Sequence, residues 1–201
     1  MYYEFAWSYD LVSALVSFGH WKEWTSAAID FLEEGSILEL GFGPGHLQTK
    51  LSARFDQVFG VDLSPQMNRI CANRMLSAGL EPKLTRSDIQ TLPYGMNTFE
   101  QAVATFPTEA LFREPTVKEL ARIIKPHGKL VVIPMVFITG SRMSHKLVAW
   151  LYRITGQTPA ADKVDEQVFK SIFSPHGFEL SQHHIKHKNY TLIVIEAQLR
   201  E

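Results

Sequence analysis

The sequence predicts an α/β protein with a Rossmann-like, three-layer α/β/α architecture, in which a mostly parallel sheet of seven strands lies between two layers of helices. From Ser36 onward, short apolar segments that suit strands alternate with segments of helical periodicity. Such alternation is typical of parallel sheets with right-handed crossovers. Near the carboxyl end the alternation stops, because two strand-like segments are separated only by Lys188 and Asn189. This arrangement predicts an antiparallel C-terminal hairpin.

Each element follows from a local pattern. Ahead of the sheet, Leu11, Leu15 and Phe18 recur at helical spacing and predict an N-terminal helix. Ser64 and Pro65 form a helix start, with a capping hydroxyl followed by proline at the first helical position. The predicted strands are 36–40, 57–61, 83–87, 99–105, 129–135, 178–187 and 190–198, and the predicted helices lie at about 46–54, after 65 and at about 116–124.

Composition and charge narrow the class of protein. With 201 residues and 45% hydrophobic content, the chain can bury a core as one domain spanning residues 1–201. A formal net charge of -1 argues against a basic nucleic-acid-binding surface, so no nucleic-acid partner is expected. The single cysteine, Cys71, cannot form an internal disulfide, and neither a signal peptide nor a membrane-spanning apolar run is visible. We therefore expect a cytoplasmic protein.

The most informative stretch runs from Glu39 to Gly45, where Gly41, Gly43 and Gly45 occupy every second position between a strand and a helix. A backbone without side chains can approach a ligand closely, and free amide groups at a helix start favour an anion such as a carboxylate. A dinucleotide-binding turn would carry its third glycine where His46 stands. An alternative function is that of a nicotinamide-dependent oxidoreductase, but His46 at this position and the C-terminal hairpin both argue against it.

Taken together, these features resemble the class I S-adenosylmethionine-dependent methyltransferases. The resemblance rests on residues 39–45, on Asp62 and Asp88 after two later strands, and on residues 120–130, and it extends from about residue 36 to 132. The most similar variety is the small-molecule group that includes the quinone-biosynthesis methyltransferases. The resemblance implies in-line transfer of a methyl group from S-adenosylmethionine to a small, apolar, lipid-like or quinone-like acceptor, with S-adenosylhomocysteine as product. A second alternative is a cofactor-binding regulatory protein without turnover.

By this resemblance, Asp62 would accept both ribose hydroxyls of the cofactor, because one carboxylate offers two acceptor oxygens. Glu39 and the backbone of the three glycines would surround the amino-acid end. Asp88 and Ile89 would lie at the adenine edge, with Leu63 and Met67 along the ring face. The alternative for Glu39 and Asp88 is that they only cap helices or turns, and Met67 also fits ordinary helix packing.

The fourth predicted strand ends at Thr105 and Phe106. By the resemblance, these two residues would lie close to the transferred methyl group. Enzymes that methylate the amino group of adenine have an Asn or Asp, two prolines and an aromatic residue there. This chain lacks the amide and the second proline, so that chemistry is disfavoured. Strand-end packing is the alternative for both residues. The full expected cofactor-binding set is Glu39, Gly41, Phe42, Gly43, Gly45, Asp62, Leu63, Met67, Asp88, Ile89, Thr105 and Phe106.

Methyl transfer does not require a dedicated base, because positioning and exclusion of water can supply much of the rate. The catalytic residues are therefore not identified. Tyr9 could line the methyl path, while His20, Glu109 and His145 are weak candidate bases, and all four also fit ordinary polar roles.

A metal site is not expected. His183, His184 and His187 cluster in the sequence, but on a strand the first and last would lie about 13 Å apart. That separation is too long for two ligands of one zinc ion.

Two segments are assigned to substrate selection: an N-terminal helical cap at residues 1–35 and a lid-like insertion at residues 136–171. The insertion contains an amphipathic pattern from Arg142 to Thr155, in which Trp150 and Leu151 belong to the apolar stripe. This helix fits packing on its own domain, a lid over an apolar substrate, or contact with a membrane surface. The sequence makes no prediction about oligomeric state.

Overall fold

The computed structural model describes residues 20–138 and 166–200, which form one seven-stranded sheet with helices on both faces. The strands are β1 (Ser36–Leu40), β2 (Gln57–Asp62), β3 (Leu84–Arg86), β4 (Phe99–Thr105), β5 (Ile124–Ile138), β6 (Phe178–Lys186) and β7 (Tyr190–Leu199). The α-helices are α1 (Trp21–Ser26), α2 (His46–Arg54), α3 (Pro65–Ser77), α4 (Glu114–Ile123) and α5 (Glu166–Phe173). Short 3-10 helices span Ala27–Phe31, Glu109–Phe112 and Ser174–His176.

The strand order is β3-β2-β1-β4-β5-β7-β6. The first five strands in this order are parallel, whereas β7 pairs antiparallel with both β5 and β6. The predicted α/β architecture, with a mostly parallel seven-stranded sheet and an antiparallel C-terminal hairpin, is therefore confirmed. Because β1 lies in the middle of the parallel part, all five of its residues are buried.

Alternate residues of the strands lie on opposite faces of the sheet and pack into two separate hydrophobic cores. Leu38 packs with residues of α4 and α5 on one face, while Ile37 packs with α1, the first 3-10 helix and α2 on the other. This period of two gives the three-layer arrangement. A smaller cluster joins α3 to the loop after β1 through Phe42, Cys71 and Met75.

Strand β5 is longer than the predicted segment 129–135. It begins with Ile124, which pairs with Phe99, and the ladder resumes at Lys129 after an irregularity around His127, whose φ is +63°. At its other end it continues along β7 as far as Ile138. The early start of the strand is not predicted because Pro126 follows Ile124, and proline usually disfavours pairing within a sheet.

The described part of the N-terminal cap, from residue 20, is helical, and the two ends of the insertion 136–171 belong to β5 and to α5. The helix predicted around Leu11, the amphipathic segment Arg142 to Thr155 and residues 156–161 lie outside the described residues. None of the described helices is long and apolar enough to cross a membrane.

Helix α5 was not predicted, although Phe169 and Phe173 recur at helical spacing. Phe173 is 1% exposed and its ring lies 5.8 Å from that of Phe178 and 6.5 Å from that of Phe112. Helix α5, which contains the last residues of the insertion, thus packs against the core through Phe169 and Phe173.

We expect Phe173→Ala to lower the free energy of unfolding by about 3 to 5 kcal/mol, because the change leaves a cavity between α4, α5 and the hairpin. Val168→Ala on the same helix is the control, since Val168 is 53% exposed. Urea unfolding of both variants measures the difference, and equal stabilities would show that α5 does not belong to the core.

Candidate functional site

The site begins with the loop between β1 and α2. Gly41, Gly43 and Gly45 all have positive φ, at +69°, +52° and +82°. A Cβ at Gly41 or Gly43 would meet nothing within 4 Å, whereas at Gly45 it would lie 3.1 Å from the Cα of Cys71 on α3. The first two glycines therefore leave open space beside the loop, and the third lets α2 and α3 approach each other closely.

Asp62 lies at the end of β2, next to this loop. Its Oδ2 accepts a hydrogen bond from the backbone N–H of Gly43 at 2.9 Å, and its Oδ1 accepts one from Ser64 at 2.8 Å. Burial raises the pKa of the Asp62 carboxyl, and these two bonds oppose the rise. Each oxygen retains a lone pair for a further donor, so the fixed carboxylate can still accept a pair of ligand hydroxyls.

Glu39 is the acid that precedes the loop on β1, and it is only 2% exposed. Its Oε2 has no hydrogen-bond partner. Burial, helped by the nearby charge of Asp62, holds the pKa of the Glu39 carboxyl well above its ordinary value. A buried acid without a partner is costly, so this position is suited to a ligand that brings donors or positive charge.

Helix α3 forms the next side of the site. Ser64 caps it, as predicted, by accepting a hydrogen bond from the Met67 N–H at 3.3 Å. Leu63 is 58% exposed beside Asp62, and Met67 packs partly into the cluster around Phe42. The Phe42 ring fills the space over Gly60, so its side chain supports the loop from below.

Asp88 and Ile89 follow β3 at the same edge of the sheet. Asp62 is the register partner of Arg86, two residues before Asp88. The Oδ1 of Asp88 accepts the Gln90 N–H at 2.9 Å, so this carboxylate closes its own turn, and Ile89 packs against the core. Both remain near the position expected for an adenine edge.

Thr105 ends β4 and Phe106 follows it with a φ of +49°. The Phe106 ring stacks on Trp21 of α1, with ring centres 4.6 Å apart, and lies 6.3 Å from Trp24. Tyr190 meets Trp24 edge-on at 5.5 Å. These four rings, which we call the aromatic wall, cover the end of β4.

Of the weak catalytic candidates, Tyr9 and His145 lie outside the described residues. His20 is bonded through Nδ1 to Glu23 at 2.7 Å, and Glu109 is 85% exposed and paired with Arg113. The hydrogen bond from His20 lowers the pKa of Glu23, and burial with Glu23 nearby raises the pKa of Tyr190 to about 12.

The histidine cluster divides among separate partners. His183 pairs with Glu196 at 2.8 Å, His184 contacts Gln182, and His187 stacks on Tyr190. Within residues 20–138 and 166–200, no group of three or more acidic, histidine or cysteine side chains could hold a metal ion.

Two residues that sequence reasoning missed support the loop. Arg74 of α3 donates from Nε to the Pro44 carbonyl at 2.8 Å and contacts the His46 ring, also at 2.8 Å. Gln48 of α2 is completely buried. Of the two, only the burial of Gln48 could have been predicted from the sequence. Gln48 lies one residue after Leu47 and three before Leu51, on a helix that must pack against the sheet.

Known proteins agree with this geometry. A family model described as "Methyltransferase domain" matches residues 37–128. Residues 37–128 are thus similar to a methyltransferase domain of the class I type. The open glycines, the unpaired Glu39 oxygen and the anchored Asp62 offer the space and the acceptors that the amino-acid end and the ribose of S-adenosylmethionine would need.

The chain is 32% identical over 151 residues to a ubiquinone/menaquinone biosynthesis C-methyltransferase UbiE of Syntrophotalea carbinolica, covering 72% of this chain and 62% of that protein. It is 32% identical over 139 residues to a demethylmenaquinone methyltransferase of Thermus thermophilus, covering 66% and 63%. The chain thus spans less than two thirds of these relatives.

Among solved structures, the YcgJ protein of Bacillus subtilis superposes with a TM-score of 0.68 at 15% identity. The match covers 89% of this chain and 99% of that one. At this identity the likeness shows the fold alone.

In the cofactor-free protein, we expect the raised pKa of Glu39 to reduce stability as pH increases. The folded state binds the Glu39 proton more tightly than the unfolded chain, so this stabilisation is fully present below pH 4.5, the ordinary glutamate value. It is lost as pH rises toward the higher folded-state pKa. Thermal unfolding from pH 5 upward should therefore show Glu39→Gln gaining stability relative to the original protein. A constant difference would mean that Glu39 is not protonated in the folded state.

Proposed function

We propose that this protein is an enzyme that transfers the methyl group of S-adenosylmethionine to a small, planar, apolar acceptor of the quinol type. The observation that carries the proposal is the pair of acids around an open loop: Asp62 fixed by the Gly43 N–H, and Glu39 buried without a partner. One acid suits a diol and the other suits an ammonium group, and both occur in this cofactor.

In this proposal the chain binds the cofactor along the carboxyl ends of β1, β2 and β3. Glu39 and the loop hold the amino-acid end, Asp62 holds the ribose, and Leu63 and Asp88 border the adenine. The bound cofactor supplies a methyl group on a positively charged sulfur. The protein contributes position and exclusion of water, which suffice for an in-line displacement.

The aromatic wall supports a planar acceptor. Its rings lie over the end of β4, next to the loop that would hold the cofactor, because β4 pairs directly with β1. Aromatic rings favour offset stacking on other flat ring systems. The names of the two relatives, which concern ubiquinone, menaquinone and demethylmenaquinone, point to the same class of acceptor.

We expect Asp62→Ala to weaken binding of S-adenosylhomocysteine by about 1 to 3 kcal/mol, since the ribose hydroxyls lose their acceptor. Asp56→Ala is the matched control. Asp56 is an exposed acid just before the first residue of β2, whereas Asp62 is the last residue of that strand. Titration calorimetry compares the two variants with the original protein. Equal affinities for all three would remove Asp62 from the cofactor site.

Thermal unfolding with added ligands, together with an assay for methylated product, separates the alternative functions. A nicotinamide-dependent oxidoreductase would be stabilised against heat by NAD or NADH, whereas a methyltransferase would respond to S-adenosylmethionine and S-adenosylhomocysteine. A regulatory protein would bind these ligands and release no methylated product with any acceptor.

For the acceptor, we expect radiolabelled methyl transfer to a 1,4-naphthoquinol with a short isoprenyl chain, and none to a primary amine of similar size. Trp21→Leu should raise the KM for this quinol roughly threefold to tenfold, since a stacking ring is lost near the acceptor. Phe31→Leu is the control, because Phe31 contacts His183 instead of Phe106. Transfer to the amine alone would overturn the quinol assignment and leave the cofactor site intact.

A further inference from the structure

Gln48 is buried in a way that the fold alone does not explain. It lies in the first turn of α2, has no exposed surface, and neither its Nε2 nor its Oε1 has a hydrogen-bond partner. Buried polar atoms in folded proteins are nearly always paired, and leaving one unpaired destabilises the folded state. An apolar side chain of the same length would avoid this cost.

The position of the amide links Gln48 to the cofactor site. A Cβ on Gly60 would lie 2.9 Å from the Gln48 Oε1 and 3.0 Å from its Cδ, so the amide occupies the space directly over Gly60. Gly60 is the register partner of Glu39 in the parallel pairing of β1 and β2. Side chains of register partners leave the same face of a sheet on strands about 4.8 Å apart, so the amide over Gly60 and the Glu39 side chain lie on one face of the sheet, over neighbouring strands.

Three buried polar atoms without partners therefore belong to two side chains on one face of β1 and β2: the Nε2 and Oε1 of Gln48 and the Oε2 of Glu39. In the free protein, burial and the charge of Asp62 raise the pKa of Glu39 and so favour its neutral form. A cation that arrives from the loop favours the ionised carboxylate, which then needs donors. The Gln48 Nε2 is a buried donor without a partner on the same face of the sheet.

We propose that Gln48 is a positioning residue of the cofactor site, whose amide orients the Glu39 carboxylate toward the ammonium group of the cofactor. This inference rests on the proposed function. Glu39 would lose its proton as the cofactor binds, accept a hydrogen bond from Gln48 on one side and receive the ammonium group on the other. Binding would then release a proton to solvent.

The test uses two ligands that differ only at the amino-acid end of the cofactor. S-adenosylhomocysteine has this end, and 5′-methylthioadenosine keeps the adenosine and the sulfur but lacks it. We expect Gln48→Met to weaken S-adenosylhomocysteine roughly 10-fold to 100-fold, as for loss of a hydrogen bond to a charged group, with little change for methylthioadenosine. Gln48→Leu is the second variant if the first does not fold.

Ser52→Ala is the matched control, because Ser52 lies one turn further along α2 and its buried hydroxyl also lacks a partner. It should change neither affinity. In a Glu39→Gln background, Gln48→Met should have no additional effect, since Gln48 acts through Glu39. Calorimetry in buffers of different ionisation enthalpy should detect proton release on binding to the original protein and none with Glu39→Gln.

Each outcome separates the proposals. Equal weakening of both ligands by Gln48→Met would mean that Gln48 only supports α2, and no weakening would give it no role, so either result overturns the inference. Binding without proton release would overturn the ionisation of Glu39. If S-adenosylhomocysteine does not bind the original protein, the proposed function itself is wrong.

Discussion

The site depends on the hydrogen bond that joins the loop after β1 to the end of β2. The Gly43 N–H donates to the Asp62 carboxylate, and the neighbouring Gly41 N–H donates to the Val61 carbonyl at 2.7 Å. Two parallel strands thereby hold a bare stretch of backbone against a carboxylate. The carboxyl ends of neighbouring parallel strands form the crevice in which open α/β sheets bind ligands.

The glycines of the loop show why one sequence pattern serves two purposes. Gly41 and Gly43 have open space where a side chain would be, so their absence of a Cβ benefits a ligand. At Gly45 and Gly60, neighbouring side chains instead occupy the space where a Cβ would lie: Cys71 at Gly45, and Phe42 and Gln48 at Gly60. A side chain at the first pair would fill that open space and strain a backbone held at positive φ, while a change at the second pair would disturb the packing of these neighbours first.

Much of the fold could be predicted from the sequence because its signals are local. The alternation of strands and helices, the Ser64 cap and the hairpin all lie within a few residues, and β4 has the predicted bounds. The early start of β5 could not be predicted, since it depends on pairing Ile124 with a distant Phe99. The stacking of Phe106 on Trp21 depends on contact across about 85 residues, and no periodicity reports such contacts.

The residue types of the candidate site could be predicted from the sequence, but the burial and the pKa shifts of these residues could not. Sequence reasoning identifies Glu39 as an acid near the loop, but its burial comes from the position of β1 between two other strands. That burial raises the pKa of the acid, favours its neutral form and makes it sensitive to an approaching cation. A surface acid at the same place would distinguish ligands less sharply, because water would screen its charge and satisfy its oxygens. The free-energy cost of an unpaired buried acid therefore favours a ligand that brings positive charge to it.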